Sequence, residues 1–464
     1  MAIPAGESVI LTALLFAQIT IGEYAVRRAA LAEDLQPDAV LLVLGASEPA
    51  EDYLSFEQNP PFEYLTGVNE PDAALIMVGH GPGLLFVEPK DPTQEVWSGE
   101  RMGPAGATKR TGLPTRLRAD LEEVLDSLIQ SHTRLLVSAP PADQATLMRA
   151  HPSVMLMDAS HSIDQLRGRK SAAELALLAR AAAITSDGAR AAFSVISPGV
   201  NEYEVQARIE YTFRVEGADR PSFASVVGSG PNTTVLHYNA DNRVMQAAEL
   251  VVMDVGASYH GYAGDVTRTV PVNGHYTADQ LAIYQTVRDA QAAAERQAVL
   301  DAPARRMSDS AVAVLAKGLA RLGLIESDSA TYDCGGDRQC AQWSLYYMHL
   351  LGHGIGLEVH DPEQFYITGR IGVGSAFTIE PGLYVRANLP SIVPDTPRNR
   401  VMLATIGPAI ARYANIGVRI EDDYIATSAG VRRISNAPRE ASEIETIMRR
   451  PRSRVESPPG SVSP

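Results

Sequence analysis

Apolar and polar positions repeat in two ways along the chain, and the pattern changes near residue 170. Residues 23–35, EYAVRRAALAEDL, place apolar side chains at helical spacing. Short apolar runs closed by glycine follow at 39–45 and 64–67, with further runs at 73–78, 83–87 and 134–137. They read as strands, with a helix over 116–131. Strands alternating with helices predict an α/β region ending near residue 165. From Lys170 the order differs. Residues 172–196 form a long helical stripe through Leu178, Ala181, Ala189, Ala192 and Ile196, stopped by Pro198-Gly199. Asn201, with Glu204 three residues on, starts a second helix in near capping-box form. Strand-like sequence covers 222–272. Helices then recur at 277–300 and 308–322, and strand-rich sequence at 344–424. Helix, helix and sheet twice over predict two similar halves facing each other, although no residue-level repeat is visible.

Composition narrows the function classes. A chain of 464 residues favours two or three domains. Its net charge of -15 repels phosphate backbones, so no nucleic-acid partner is expected. No apolar run approaches the roughly 20 residues that span a bilayer, so no membrane role is expected either. The run over 9–21 has the length of a signal-peptide core. The preceding MAIPAGES, however, lacks Lys and Arg and contains Glu7, where a secretory signal is basic. The expectation is a cytoplasmic protein, with export as the alternative. Two cysteines, Cys334 and Cys340, make no disulfide scaffold, and whether they pair is left open. The tail from Pro451, rich in Pro and Ser, is expected to be disordered, and the arginines around it read as a solvated charge run.

Candidate chemistry begins at YYMHLLGHGIGLEVHD, which holds His349, His353 and His360. His349 and His353 have the spacing of a helical zinc site, but Leu350 stands where a zincin carries its glutamate. Three glycines also disfavour a helix, each by about 1 kcal/mol relative to Ala. The glycines do not match a dinucleotide-binding loop. An extended segment is the better reading, and a single histidine in one is more often hydrogen-bonded than a ligand.

Acids elsewhere change that balance. Asp254 ends the apolar run 250–253, and Asp265 begins an alternating one. A hairpin turning at Tyr259-His260 would set Asp254 opposite Asp265, with Cβ atoms about 5 Å apart. Two carboxylates so close cannot both ionise cheaply without a cation. Glu380, fixed in extended conformation by Pro381, takes the face opposite Phe377 and Ile379. Arg419 and Glu421 share one face of their strand, so the guanidinium is placed to orient that carboxylate. Buried acids at strand ends are costly unless paired or metal-bound. Together these are four carboxylates and a histidine, a donor set for two divalent ions.

Asp254 and Asp265 in MDVGASYHGYAGDVTRTVPVNG, His353 in HLLGHGIGLEVHD, Glu380 in TIEPGLY and Glu421 in GVRIEDD resemble the aminopeptidase P/prolidase family of metallopeptidases. FEYLTGVNEPDAAL extends the resemblance into the first region. It implies an α/β (α+β) chain: a creatinase-like N-terminal α/β domain over 1–165, then a pita-bread catalytic domain over 166–437 with pseudo-twofold halves. A helical turn and disordered tail would occupy 438–464. It implies metal ligation by Asp254, Asp265, His353, Glu380 and Glu421, with Asp265 and Glu421 bridging two ions. Oxygen-dominated ligation suits Mn²⁺, with Co²⁺, Fe²⁺ or Zn²⁺ as alternatives. Catalytic roles follow by resemblance: Glu380 as proton shuttle, His349 and His360 as hydrogen-bond donors to the oxyanion, and His237, within SGPNTTVLHYN, on the substrate side. Arg419 would support the ligands.

The implied substrates are peptides with proline in the second position, and the implied assembly is a homo-oligomer, a dimer or tetramer. One departure is the segment ANLPSIVPDTPRNRVMLATIGPAIARY between Glu380 and Glu421. It is expected near the site entrance, where it would reshape specificity. The alternatives are a prolidase, with Arg370 or Arg386 receiving a dipeptide carboxylate, a creatinase-like metal-free hydrolase, or an inactive peptide-binding module. A methionine aminopeptidase is disfavoured by the N-terminal region.

Overall fold

In the computed structural model, residues 18–51, 54–131 and 134–449 are described. The apolar start of the chain before residue 18 and the Pro/Ser tail lie outside them. Two compact units result, one up to Glu174 together with Asp361–Glu363, the other comprising the remaining residues from Leu175 onward.

The first unit is built on a six-stranded mixed sheet of order β4-β3-β2-β1-β5-β6. Its strands are β1 (Ala39–Leu44), β2 (Ala74–Val78), β3 (Leu84–Val87), β4 (Thr115–Leu117), β5 (Arg134–Ser138) and β6 (Met155–Asp158). AVLLVL of β1 is apolar throughout because it is central. Val40 and Leu42 pack with Ile76, Phe86, Leu125 and Val137. Helix α1 (Ile21–Asp34) flanks the sheet, capped by Thr20.

Two sequence expectations fail in this unit. Residues 64–67 are not a strand: α2 (Pro60–Thr66) covers them, with proline in its first turn and Gly67 in the left-handed region (φ 65°) closing it. Proline just inside a start and glycine just past an end mark a helix, and Phe62 and Leu65 bury one face. Residues 116–131 are likewise not one helix; β4 and a 3₁₀ turn precede the helix Leu121–Ile129.

The second unit repeats helix pair and sheet. Helices α3 (Ala172–Ala192) and α4 (Glu202–Val215) precede β7 (Arg220–Pro221), β8 (Val226–Ser229), β9 (Leu250–Val255), β10 (Ala257–Tyr259), β11 (Tyr262–Ala263) and β12 (Val266–Pro271). The expected capping box at Asn201 and Glu204 is present. Helices α5 (Ala278–Glu295) and α6 (Arg305–Arg321) then precede β13 (Thr331–Gly335), β14 (Arg338–Ala341), β15 (Ala376–Ile379) and β16 (Gly382–Val385). The strands β17 (Ile416–Arg419), β18 (Asp422–Thr427) and β19 (Gly430–Arg433) complete the unit. Phe213, Met253, Tyr284, Phe377, Val418 and Ile420 belong to one continuous core. No helix of the described residues is long and apolar enough to cross a membrane.

The hairpin register corrects the sequence reading. Val255 pairs with Val266 and Asp254 with Thr267, so Asp265 does not face Asp254. The ladder is shifted by two residues because the turn is at His260-Gly261, both with positive φ (48° and 79°), closing between Tyr259 and Tyr262. Two positive-φ turn residues match the right-handed strand twist, which His at the first and Gly at the second position permit.

Segment 387–413 is largely helical. Helix α7 (Pro397–Tyr413) buries Met402, Ile406 and Ile410 and docks on the β13–β14 hairpin, where Asn399 Nδ2 donates to Asp333 O at 2.8 Å. That hairpin carries a disulfide between Cys334 and Cys340.

Candidate metal centre

All the predicted site residues lie in the second unit; Asp254 is paired within β9, whereas Glu380 and Glu421 sit where ladders break. β15 pairs with β18 up to Ile379–Asp422, and β16 pairs with β17 from Gly382–Arg419. Between these ladders lie Glu380 and Pro381 on one side, Ile420 and Glu421 on the other. Pro381 has no N–H to continue the pairing. Its carbonyl instead accepts from Ile420 N at 3.3 Å. Glu380 N donates to Leu351 O (2.8 Å) and Thr378 N to His353 O (2.9 Å), so the histidine segment runs beside β15 without forming a regular strand.

His353 Nδ1 lies 3.0 Å from Gly354 O, which assigns it the proton. The lone pair of Nε2 then faces Asp265 Oδ2 at 3.4 Å, Glu380 Oε1 at 3.6 Å and Glu421 Oε1 at 3.8 Å. Asp265, His353 and Glu421 each offer a ligand atom within 4.8 Å of the others. Asp254 joins through Arg419, which forms an ion pair with its Oδ2.

This donor set fits a divalent cation on three observations. Asp254 Oδ1, Asp265 Oδ1 and Glu421 Oε1 are buried without a hydrogen-bond partner among the described residues. The imidazole presents a lone pair rather than a proton to the acids. Burial, and after it the charge of Glu421, holds the Asp265 and Glu380 carboxyls well above their ordinary range. Burial and then Asp254 lift Glu421 to about 7. Buried acids that resist ionisation beside one another ionise readily once a cation lies between them, which is what a metal cluster requires.

The supporting contacts differ from the expectation for Arg419. Its carboxylate partner is Asp254, and Glu421 is reached only through Thr267. Arg419 Nε donates to Thr267 Oγ1 at 3.1 Å, and that hydroxyl donates to Glu421 Oε2 at 2.6 Å. Arg419 Nη1 also donates to Tyr384 Oη (3.0 Å). The phenol lies 2.9 Å from His349 Nε2. With Nδ1 of His349 2.7 Å from Leu350 O, both its nitrogens are engaged. Burial, then Arg419, lowers His349 to about 4, so the ring is neutral near pH 7. The His360 ring lies beside that of His353, centroids 4.2 Å apart and tilted by 54°, and burial, then His353, lowers it too. His237 is exposed on the loop after β8, near enough for its charge to bear on both rings.

Sequence reasoning missed Thr267, Tyr384 and Asp423. The correct hairpin register would have put Thr267 opposite Asp254. Tyr384 stands four residues beyond Glu380, across the ladder break. Asp423 Oδ2 accepts from Asp265 N at 3.0 Å, fixing the backbone that carries that ligand candidate.

The sequence profile of metallopeptidase family M24 matches residues 176–428, and that of the aminopeptidase P N-terminal domain matches 24–137. The chain is 30% identical over 460 residues to the Xaa-Pro aminopeptidase of Escherichia coli, covering 93% of this chain and 98% of that protein. It is similar to the structure of Pseudomonas aeruginosa aminopeptidase PepP, with TM-score 0.79 and 29% identity over 93% of this chain and 99% of that one. It is also similar to zinc-substituted E. coli aminopeptidase P in complex with product, with TM-score 0.78 and 28% identity over 93% and 98% of the two chains.

Proposed function

The chain belongs to metallopeptidase family M24, and on that premise we propose that it is a metal-dependent aminopeptidase releasing the first residue from peptides with proline second. The observation that carries this reading is the His353 lone pair aimed at the carboxylates of Asp265, Glu380 and Glu421, with Asp265 Oδ1 and Glu421 Oε1 buried without a donor among the described residues. Asp254, Asp265, His353, Glu380 and Glu421 would hold the metal. The oxygen-rich donor set supports two ions, Mn²⁺ first among the candidates. Bound there, divalent ions would polarise the scissile carbonyl and bring a water's pKa near neutrality.

The protein's own groups supply the remainder. Glu380, which reaches both His353 and His349, is the carboxylate placed to take up a proton and pass it on. Its second oxygen lies 3.8 Å from His349 Nδ1. An X-Pro bond has a tertiary leaving nitrogen, so that proton must arrive as the bond breaks. His360, neutral and without a hydrogen bond among the described residues, is the better placed of the two rings to donate to the developing oxyanion. His349 holds Tyr384, and through it Arg419 and Asp254, in place. His237 would contact the substrate. Self-association into a dimer or tetramer belongs to the same reading.

Cleavage of Arg-Pro-Pro against Gly-Pro tests the specificity. An aminopeptidase releases arginine from the tripeptide and leaves the dipeptide largely intact. Preferential turnover of Gly-Pro would make the enzyme a prolidase instead.

A further inference from the structure

Glu202 is fully buried at the start of α4, away from the cluster of acids. It has no role in the chemistry above, yet its carboxylate accepts five hydrogen bonds. Oε1 takes them from Ser229 N (2.6 Å), Ser229 Oγ (2.7 Å) and Asn232 Nδ2 (3.2 Å). Oε2 takes them from Tyr238 Oη (2.9 Å) and Arg243 N (2.9 Å). Every donor is a neutral group, and every one lies in segment 229–243. A buried carboxylate is costly unless fully satisfied. Here the expense is met by a single loop, and that loop carries His237.

The same loop is held from the other side. Leu236 O accepts from Arg419 Nη2 at 3.4 Å, and Gly417 N donates to Thr233 Oγ1 at 2.9 Å. His237 therefore stands between one neighbour tied to Arg419 and another, Tyr238, tied to Glu202. Neither tie is to the imidazole itself, which leaves the ring exposed while its neighbours are held, Leu236 through its carbonyl and Tyr238 through its phenol.

We infer that Glu202 is a positioning residue for His237, acting through Tyr238 and the backbone of the loop. The inference rests on the reading of His237 as a substrate contact. Glu202→Gln keeps the shape but turns an NH₂ toward groups that are themselves donors, so the donors on one side of the former carboxylate lose their acceptor. Tyr238→Phe removes the bond to Glu202 next to His237, together with a longer one from the same hydroxyl to Asn242 Oδ1 (3.3 Å).

The test uses the metal-loaded full chain with Arg-Pro-Pro as substrate. Both variants should raise KM about tenfold with kcat within about threefold, the pattern of lost ground-state binding, and with metal content per chain unchanged. In the His237→Ala background, Glu202→Gln should add no further loss in kcat/KM, because the group it positions is gone. Native KM in both variants would overturn the inference, as would a double variant impaired by the full product of the single effects. If Glu202→Gln does not fold, Tyr238→Phe carries the test alone. A His237→Ala enzyme with native kinetics would remove the His237 reading and this inference with it. An impaired His237→Ala beside native Glu202→Gln and Tyr238→Phe would remove this inference only.

Discussion

Glu380 touches the cluster with one oxygen and faces away from it with the other, 3.6 Å from His353 Nε2 and 3.8 Å from His349 Nδ1. That double orientation suits a residue that helps hold metal and also moves a proton. Glu380→Gln should bind Arg-Pro-Pro but lose about 10²–10⁴-fold in kcat, the range of a general acid-base step; single-turnover kinetics beside a binding isotherm would separate the two. A variant with near-native kcat would take the proton shuttle from Glu380. At this scale the ligand candidates are visible in the sequence because each acid stands at the end or the start of a strand-like run. Their supports are not. Thr267 and Tyr384 are ordinary polar and aromatic residues in strands, and only pairing geometry brings them to Arg419. The partner of Arg419 was misread for the same reason: alternation places Glu421 on its face, but the ladder break at Pro381 and the neighbouring β9 bring Asp254 to it instead.

Among the elements, long helices with a clear apolar stripe were legible, and so was the capping box at Asn201. The β9–β12 hairpin was recognised but given the wrong register, because alternation fixes which face a residue takes and the turn fixes its partner. A shift of two residues preserves the faces, which is why Asp254 and Asp265 still reach one cluster. The β13–β14 hairpin raises a different question. It presents Asp333 to α7, and Cys334–Cys340 closes a short loop within it. Closing so short a loop stabilises by about 2 kcal/mol in the chain-entropy account. The Cys334→Ser/Cys340→Ser double variant should therefore lower the urea-unfolding free energy by up to that amount. Unchanged stability would show that the hairpin is held by α7 alone.

For the whole molecule, the clustered acids link stability to pH and to metal. Glu421 has its folded value raised from 4.5 to about 7, and Asp265 and Glu380 are raised in the same direction. A carboxyl raised on folding contributes stability that is present below its unfolded value and is lost as pH rises through its folded value. Metal-stripped protein should accordingly show a Tm that falls between about pH 5 and pH 8, and the rise in Tm on adding Mn²⁺ should grow over the same interval. Scanning calorimetry with and without Mn²⁺ checks this; a metal-induced gain that shrinks with pH would contradict it. Asp422 works in the opposite sense. Burial alone would raise it, but Arg268, Arg433 and Arg439 together outweigh burial and hold it at about 2. Its contribution is present above the ordinary carboxylate value and is lost only as pH falls through about 2, so it does not disturb the neutral-pH trend.

The measurement closest to the central claim is elemental analysis of the dialysed protein, paired with Arg-Pro-Pro turnover before and after a chelator. A cage built from Asp254, Asp265, His353, Glu380 and Glu421 predicts about two divalent ions per chain, activity lost on chelation, and activity returned by Mn²⁺. Full turnover by protein that holds no stoichiometric metal and ignores the chelator would contradict it.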